Sequence, residues 1–230
     1  MTDRDRWSAT AAALPTAGRA ERERPFWEAC ARTFAWRRVA DAGCGAGFHL
    51  SLLRGLGVET FGFDVALPAL KHVANVVAGD LGSPPLQAAA FDAVLCLGNT
   101  ISLLASRQEQ RRAVASLATL VRPGGLLLVQ GEGVGALVAA GPVARTRALA
   151  NGGVHLRVFE RRGRHVRMLA GVIHSGVESV LESTLLLPTP RRAALRLARA
   201  AGLRPVALPV EPPSGAATWW AALSAPSPGS

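Results

Sequence analysis

A glycine-rich turn and the aspartates around it are the residues best suited to bind a ligand. Gly43, Gly45 and Gly47 alternate along the chain directly after Asp41 and Ala42. Because glycine lacks a Cβ atom, it adopts positive φ angles and lets a ligand approach the backbone closely. Carboxylates accept hydrogen bonds from hydroxyl and amine groups. The turn therefore suits a dinucleotide or another nucleoside cofactor.

The residues around the turn predict a strand before it and a helix after it. Residues 39–42 are a short apolar run, and Leu50, Leu53 and Leu56 have the spacing of one helix face. The start of a helix presents unpaired N–H groups to a ligand. The alternative is a strand–helix turn that binds nothing.

The dinucleotide-binding fingerprint fails at its third glycine. That glycine belongs three residues after the second, and the position is Phe48 when the count starts from Gly43 and Gly45. Counting from Gly45 and Gly47 places Leu50 there. The sequence therefore disfavours a pyrophosphate ligand.

Two further predicted strands end on aspartates. Residues 58–63 lead into Asp64, and residues 76–79 lead into Asp80. A carboxylate at the carboxyl end of a second strand can accept hydrogen bonds from both ribose hydroxyls. Alternatively, Asp64 closes a turn before a helix that contains Pro68 in its first turn. We favour the ribose role.

Several motifs resemble the class I S-adenosylmethionine-dependent methyltransferases. Asp41, Gly43, Gly45 and Gly47 match the acidic-x-Gly-x-Gly-x-Gly pattern of motif I. Residues 120–125 carry Leu-x-x-Pro-Gly-Gly before a strand, as in that family, and residues 96–100 resemble glycine N-methyltransferase-like enzymes, in which a Gly-Asn pair follows the fourth strand. The resemblance implies a Rossmann-like α/β three-layer sandwich with a seven-stranded, mostly parallel sheet and an antiparallel last strand. It also implies S-adenosyl-L-methionine as the cofactor.

The resemblance assigns cofactor-binding roles by position. The glycine turn lies against the methionine part and ribose, Asp64 with Val65 binds ribose, and an acidic residue at Asp80 accepts from the adenine amine while the backbone of Leu81 meets a ring nitrogen. Asp80 could instead only open the loop at residues 82–85, and Asn99 could instead cap the next helix. The implied cofactor-binding residues are Asp41, Ala42, Gly43, Cys44, Gly45, Gly47, Asp64, Val65, Asp80, Leu81, Leu97, Gly98 and Asn99.

The substrate-binding parts are the least defined. We expect one domain over residues 1–230, with an N-terminal lid over residues 1–36 that includes a helix at residues 22–34 beginning near Pro25. Trp7 and Arg24 are lid candidates, whereas Trp27 is more typical of the core. Residues 134–150 look weakly helical, and residues 151–187 predict an antiparallel insertion that covers the substrate. The family resemblance implies the same kind of covering element.

No motif identifies a catalytic residue. His155, His174 and Glu132 are weak candidates for a general base, and Asn99 for a group that orients substrate. The predicted hairpin at residues 154–170 is rich in arginine, which suits an acidic partner or, more commonly, a solvated face.

Composition narrows the remaining classes. The formal net charge is +10, but arginine supplies nearly all of the cations and tyrosine is absent, so nucleic acid binding is disfavoured without being excluded. The three cysteines are widely spaced and odd in number, which predicts neither disulfides nor a metal site and suggests a reducing compartment. No apolar run is long enough to cross a bilayer. We expect a cytoplasmic protein.

The sequence thus favours a methyltransferase acting on a small molecule, with a nitrogen acceptor slightly preferred over oxygen. The alternatives are an RNA-modifying methyltransferase that uses the basic hairpin, and a noncatalytic module with the same fold. The substrate and the oligomeric state have no sequence signal.

Overall fold

The computed structural model describes residues 18–149, 152–176, 179, 181–213, 215 and 217–227. They form a seven-stranded sheet with helices on both faces and a smaller four-stranded sheet. In chain order, the first elements are α1 (Arg19–Thr33), β1 (Arg38–Ala42), α2 (Phe48–Arg54), β2 (Glu59–Asp64), α3 (Leu67–Leu70), β3 (Val76–Ala78), β4 (Phe91–Cys96), a 3₁₀ helix (Thr100–Leu103), α4 (Arg107–Leu120) and β5 (Val121–Glu132). The later elements are α5 (Val134–Leu137), β6 (Val143–Ala148), β7 (Val154–Arg162), β8 (His165–Ile173), β9 (Glu182–Leu186), α6 (Arg191–Ala200), β10 (Arg204–Val206) and β11 (Thr218–Ser224).

The main sheet has the order β10-β11-β5-β4-β1-β2-β3. The pairs β5–β4, β4–β1, β1–β2 and β2–β3 are parallel. Strand β11 runs antiparallel to both of its neighbours, β5 and β10. This confirms the predicted fold class, a mostly parallel seven-stranded sheet with an antiparallel last strand.

Strand β4 shows how the two faces of the sheet are filled. All six of its residues are buried. Val94 and Cys96 pack with α4 and α6 on one face, whereas Ala93 and Leu95 pack with α1 and α2 on the other. Alternate residues of a strand point to opposite faces, so a continuous apolar run is what a strand covered on both sides requires.

The N-terminal helix begins earlier than its sequence indicated. Helix α1 starts at Arg19, so Pro25 lies inside the helix and the prediction that it belongs to the first turn is wrong. Proline has no N–H to donate to the carbonyl of Glu21, which lies on the exposed side of the helix. Trp27 is fully buried, as predicted, and Trp7 lies outside the described residues.

The four-stranded sheet has the order β6-β7-β8-β9, and every neighbouring pair is antiparallel. It begins at Val143, so the expectation of weak helix across residues 134–150 is wrong for its second half. The pairing of β6 with β7 explains this, because the ladder supplies backbone hydrogen bonds that a short polar segment could not form alone. In the last part of the predicted insertion, residues 182–186 form β9, and Val177, Glu178 and Val180 lie outside the described residues.

Phe159, Val166 and Met168 form the inner apolar face of this small sheet, and they pack against Val134 and Val138.

Within the described residues, no helix has the length and apolar character to span a bilayer.

Candidate active site

The glycine turn connects β1 to α2 and is fixed to β2. The N–H groups of Gly43 and Cys44 both donate to the carbonyl of Phe63, at 2.8 and 3.1 Å. Gly43, Gly45 and Gly47 have φ angles of 76°, 50° and 76°. These values lie in the left-handed region, which side chains disfavour.

The three glycines differ in what surrounds them. A Cβ atom on Gly43 would lie 2.6 Å from Thr100, and one on Gly47 would lie 2.5 Å from Val73. These two positions therefore need glycine for packing. A Cβ atom on Gly45 would meet nothing within 4 Å. Gly45 is thus the position where bare backbone faces open space.

Asp64 ends β2 beside that open backbone. One carboxylate oxygen accepts from the N–H of Gly45 at 2.9 Å, and the other accepts from the N–H of Ala66 at 2.9 Å. Each carboxylate oxygen has a second lone pair for a ligand hydroxyl. Asp64 therefore makes the predicted turn contact and also remains able to bind ribose, a role that stays a prediction. Val65, the next residue, is 38% exposed.

Asp80 follows β3 at the neighbouring strand end. Its carboxylate accepts from the N–H of Gly82 at 2.8 Å and lies 3.8 Å from the guanidinium of Arg112. The loop-forming role weighed for Asp80 is therefore present in the structure. Its side chain is 40% exposed, while Leu81 is buried. The adenine contacts of this pair stay predictions.

The segment after β4 is hydrogen-bonded to the end of β5. Gly98 donates its N–H to the side-chain oxygen of Gln130 at 2.5 Å, and Asn99 donates its N–H to the Gln130 carbonyl. The side-chain oxygen of Asn99 accepts from the hydroxyl of Ser102 and from the N–H of Glu132. Asn99 precedes the 3₁₀ helix but makes no side-chain cap hydrogen bond to it. Its side chain instead ties two strand ends together.

A cavity of about 560 Å³ reaches His49, two residues after the glycine turn, and of the predicted cofactor-binding residues only Leu97 is in its described lining. Helix α1 contributes Arg19, Arg22 and Glu23 to its wall, and α2 contributes His49. None of these four was identified from the sequence. One sequence feature could have indicated His49 as a site residue: it lies in the first turn of the helix that follows the glycine turn.

The rest of the lining comes from the sheet edge and from later elements. Leu97 and Gln130 lie at the ends of β4 and β5, and Thr218 and Trp220 lie on β11. Strand β6 of the small sheet contributes Arg147. The described lining thus holds three guanidinium groups and one carboxylate, which favours ligands with negative groups.

Four ionisable side chains and the indole of Trp27 form a connected network at one side of this cavity. The guanidinium of Arg19 lies 2.6 Å from the carboxylate of Glu23, and the indole of Trp27 donates to the same carboxylate at 3.2 Å. The two ring nitrogens of His49 lie 3.6 Å from Glu23 and 3.7 Å from Asp41. The network therefore links α1 to the glycine turn.

The network also perturbs its members. Burial raises the pKa of Glu23, but hydrogen bonds from His49 and Arg19 outweigh it and lower that pKa to about 2. Burial lowers the pKa of His49, but the carboxylates of Asp41 and Glu23 outweigh it and raise that pKa above its ordinary value. Asp41 is 2% exposed, and its Oδ2 atom has no hydrogen-bond partner within the described part of the chain.

None of the three general-base candidates is among the described residues that line the cavity. His155 is buried on β7, where burial, Arg157 and Arg147 lower its pKa. His174 packs over Gly153. Glu132 lies 3.5 Å from the guanidinium of Arg157. His49 is the imidazole that the structure places at the cavity.

The other predicted site residues form the surroundings of the turn. Ala42 is fully buried, and burial raises the pKa of the Cys44 thiol, which stays protonated. Within the described ranges, no group of three or more His, Cys, Asp or Glu side chains could hold a metal ion.

Comparison with known proteins finds a matching domain in the first part of the chain. A family model described as a methyltransferase domain matches residues 40–129. The glycine N-methyltransferase of Oryctolagus cuniculus is 30% identical over 122 residues, which cover 43% of this chain and 41% of that protein. The chain thus matches less than half of the length of such curated relatives.

Two solved structures share the fold over nearly the whole chain. The CcbJ methyltransferase from Streptomyces caelestis has a TM-score of 0.78 at 22% identity, with 99% of each chain covered. The S-adenosylmethionine-bound amino pentose methyltransferase CalS10 from Micromonospora echinaspora has a TM-score of 0.65 at 23% identity, with 97% of this chain and 92% of that chain covered. Residues 40–129 thus match a methyltransferase domain, and the two solved methyltransferases share the fold of nearly the whole chain.

Proposed function

We propose that this chain transfers a methyl group from S-adenosylmethionine to a nitrogen of a small-molecule acceptor. The observation that carries the proposal is the contact between Asp64 and Gly45, at 2.9 Å. It places a carboxylate suited to sugar hydroxyls beside the open backbone of the glycine turn. Such a combination at the carboxyl ends of neighbouring strands is suited to a nucleoside cofactor.

The residues present fit this cofactor. Gly45 offers bare backbone that faces open space, and Asp64 and Asp80 offer carboxylates at the ends of β2 and β3. The buried Oδ2 atom of Asp41 lies 3.7 Å from Nδ1 of His49 and has no hydrogen-bond partner within the described residues, so it is an acceptor suited to the amine of the amino-acid part. When bound, S-adenosylmethionine supplies an electrophilic methyl carbon on a sulfonium.

The cavity size supports a small acceptor. Small-molecule sites typically enclose about 300 to 1,000 Å³, and this cavity of about 560 Å³ falls in that range. Its walls come from α1, the sheet edge and β6, so they enclose the acceptor from several sides. Aligning the two reactants and excluding water can contribute roughly 7 to 11 kcal/mol in favourable cases.

Nitrogen is preferred over oxygen on two grounds. The segment at Gly98 and Asn99 resembles the glycine N-methyltransferase type, and the named relatives include a glycine N-methyltransferase and an amino pentose methyltransferase. A neutral amine needs little more than placement, whereas an alcohol or an ammonium needs a proton removed.

The RNA-modifying alternative depends on the basic hairpin formed by β7 and β8. There, Glu160 lies 3.0 Å from Arg162 and 2.5 Å from Arg167, and Glu132 lies 3.5 Å from Arg157. These ion pairs neutralise part of the positive face that RNA would contact. The small-molecule proposal is therefore stronger, and salt-dependent retention on immobilised RNA would favour the alternative.

A panel assay tests the proposal. The protein is incubated with S-adenosylmethionine and with matched pairs of compounds, in which an amino group on amino acids and amino sugars replaces a hydroxyl. We expect S-adenosylhomocysteine to form with at least one amine and more slowly with its hydroxyl partner. The product's mass, about 14 Da above that of the amine, identifies methylation. Turnover with RNA and with no amine would contradict the proposal.

A further inference from the structure

His49 holds a place that neither the family match nor the proposed reaction assigns. Its side chain is 12% exposed at the cavity wall, and each ring nitrogen faces a carboxylate from a different element. Glu23 comes from α1, and Asp41 comes from β1. The aromatic ring of Trp27 meets the imidazole edge to face, with ring centroids 5.4 Å apart.

These contacts matter because other polar links between α1 and the glycine turn are few. The described polar contacts between the two are those of Arg19 and Glu23 with His49. The guanidinium of Arg19 also lies over the ring of Phe48, 3.9 Å from its centroid. Arg19, Arg22 and Glu23 lie in the first two turns of α1, ahead of Phe26, Trp27 and Cys30, which pack in the core and hold the rest of the helix.

We propose that His49 is a positioning residue which, when protonated, joins Glu23 to Asp41 and so holds α1 over the cofactor end of the cavity. A cationic imidazole donates from both nitrogens and can serve two carboxylates at once. A neutral imidazole has one N–H: with the proton on Nδ1 it can donate to Asp41 while Nε2 accepts from Arg19, but it no longer pairs with Glu23. Loss of the proton would also remove the positive charge that faces both carboxylates.

The charged groups that face His49 act in opposite directions. Glu23 and Asp41 favour its protonated form, whereas burial and the guanidinium of Arg19, 3.2 Å from Nε2, favour the neutral form. Arg19 is itself paired with Glu23 at 2.6 Å, so its influence on the ring is reduced. The two carboxylates therefore prevail, which agrees with the raised pKa of His49.

The raised pKa of His49 determines how the stability of the folded protein changes with pH. A group whose pKa is raised on folding stabilises the folded protein fully below its unfolded value, about 6.5 for histidine. That contribution is lost as the pH rises through the raised folded value. Helix α1 should therefore be held most firmly in mildly acidic solution and less firmly in alkaline solution.

The first test is the NMR titration of the histidine side chains in ligand-free protein, with His49→Gln used to assign the signal. We expect the His49 imidazole to titrate above pH 6.5 and Glu23→Gln to lower its midpoint. Glutamine keeps the size of glutamate but removes its charge. An imidazole that titrates at or below 6.5 in wild type, or that ignores Glu23→Gln, would overturn the proposal.

The second test measures S-adenosylhomocysteine binding by calorimetry between pH 6.0 and 8.5. We expect the dissociation constant of wild type to rise by about tenfold with pH and that of His49→Gln to stay nearly level. The matched control is His72→Gln, because His72 is an exposed histidine away from the cavity; it should follow wild type. Equal pH dependence in wild type and His49→Gln would contradict the role. The imidazole titration needs no acceptor, so its result is independent of whether an amine is methylated.

Discussion

Asp64→Ala is expected to lower the affinity for S-adenosylhomocysteine by at least 100-fold. Hydrogen bonds to a charged group contribute about 1.5 to 3 kcal/mol each, and two ribose hydroxyls would lose such a partner. The N–H groups of Gly45 and Ala66 would lose their acceptor as well. Each factor of ten corresponds to about 1.4 kcal/mol, so the loss should be plain in a calorimetric titration.

Asp92→Ala is the matched control for this change. Asp92 is also buried, and its carboxylate accepts from two backbone N–H groups, those of Arg37 and Arg38. It lies at the start of β4, at the edge of the sheet opposite the ligand site. Both variants should unfold more easily, but Asp92→Ala should keep the wild-type dissociation constant. If both variants lost affinity equally, the effect of Asp64 would be structural and the ribose role would be wrong.

Gly45→Val is expected to abolish detectable cofactor binding while the chain remains folded. The space above Gly45 is open, with nothing within 4 Å of a Cβ atom, so the first atom of an added side chain fits there. It would instead occupy the volume assigned to the cofactor. A side chain in the left-handed region costs roughly 1 to 2 kcal/mol, which is a change in stability that thermal unfolding can measure.

Gly57→Val is the matched control, because it adds the same backbone strain without obstructing the proposed cofactor site. Gly57 has a φ angle of 80°, it also has nothing within 4 Å of a Cβ atom, and it lies in the exposed turn between α2 and β2. The two valine variants should lose similar stability, and only Gly45→Val should lose binding. Wild-type affinity in Gly45→Val would place the cofactor elsewhere.

The glycine turn and Asp64 were predictable because their signals are local. A strand, a turn and a helix follow one another, and the carboxyl ends of parallel strands share one edge. The start of the small sheet at Val143 was missed for the opposite reason. Strand β6 carries a weak pattern of its own, and its conformation depends on pairing with β7.

The cavity wall was harder to predict than the turn. His49 and Glu23 meet only because α1 packs beside α2, and no spacing along the chain reports that contact. The surroundings of the candidate bases were hard to predict for a related reason. His155 and His174 lie on strands or loops near the expected edge, but their side chains are taken up by packing in the small sheet. Local pattern therefore located the proposed cofactor site and left the acceptor site undefined.

The most direct measurement is a calorimetric titration of the wild-type chain with S-adenosylmethionine and with S-adenosylhomocysteine. The arrangement of Gly45, Asp64 and Asp80 predicts a single site that binds either compound. We expect a micromolar dissociation constant, which corresponds to a binding free energy on the order of −8 kcal/mol. A chain that unfolds cooperatively on heating, yet gives no binding heat with either compound up to about 1 mM, would contradict the proposed cofactor site and the activity inferred from it.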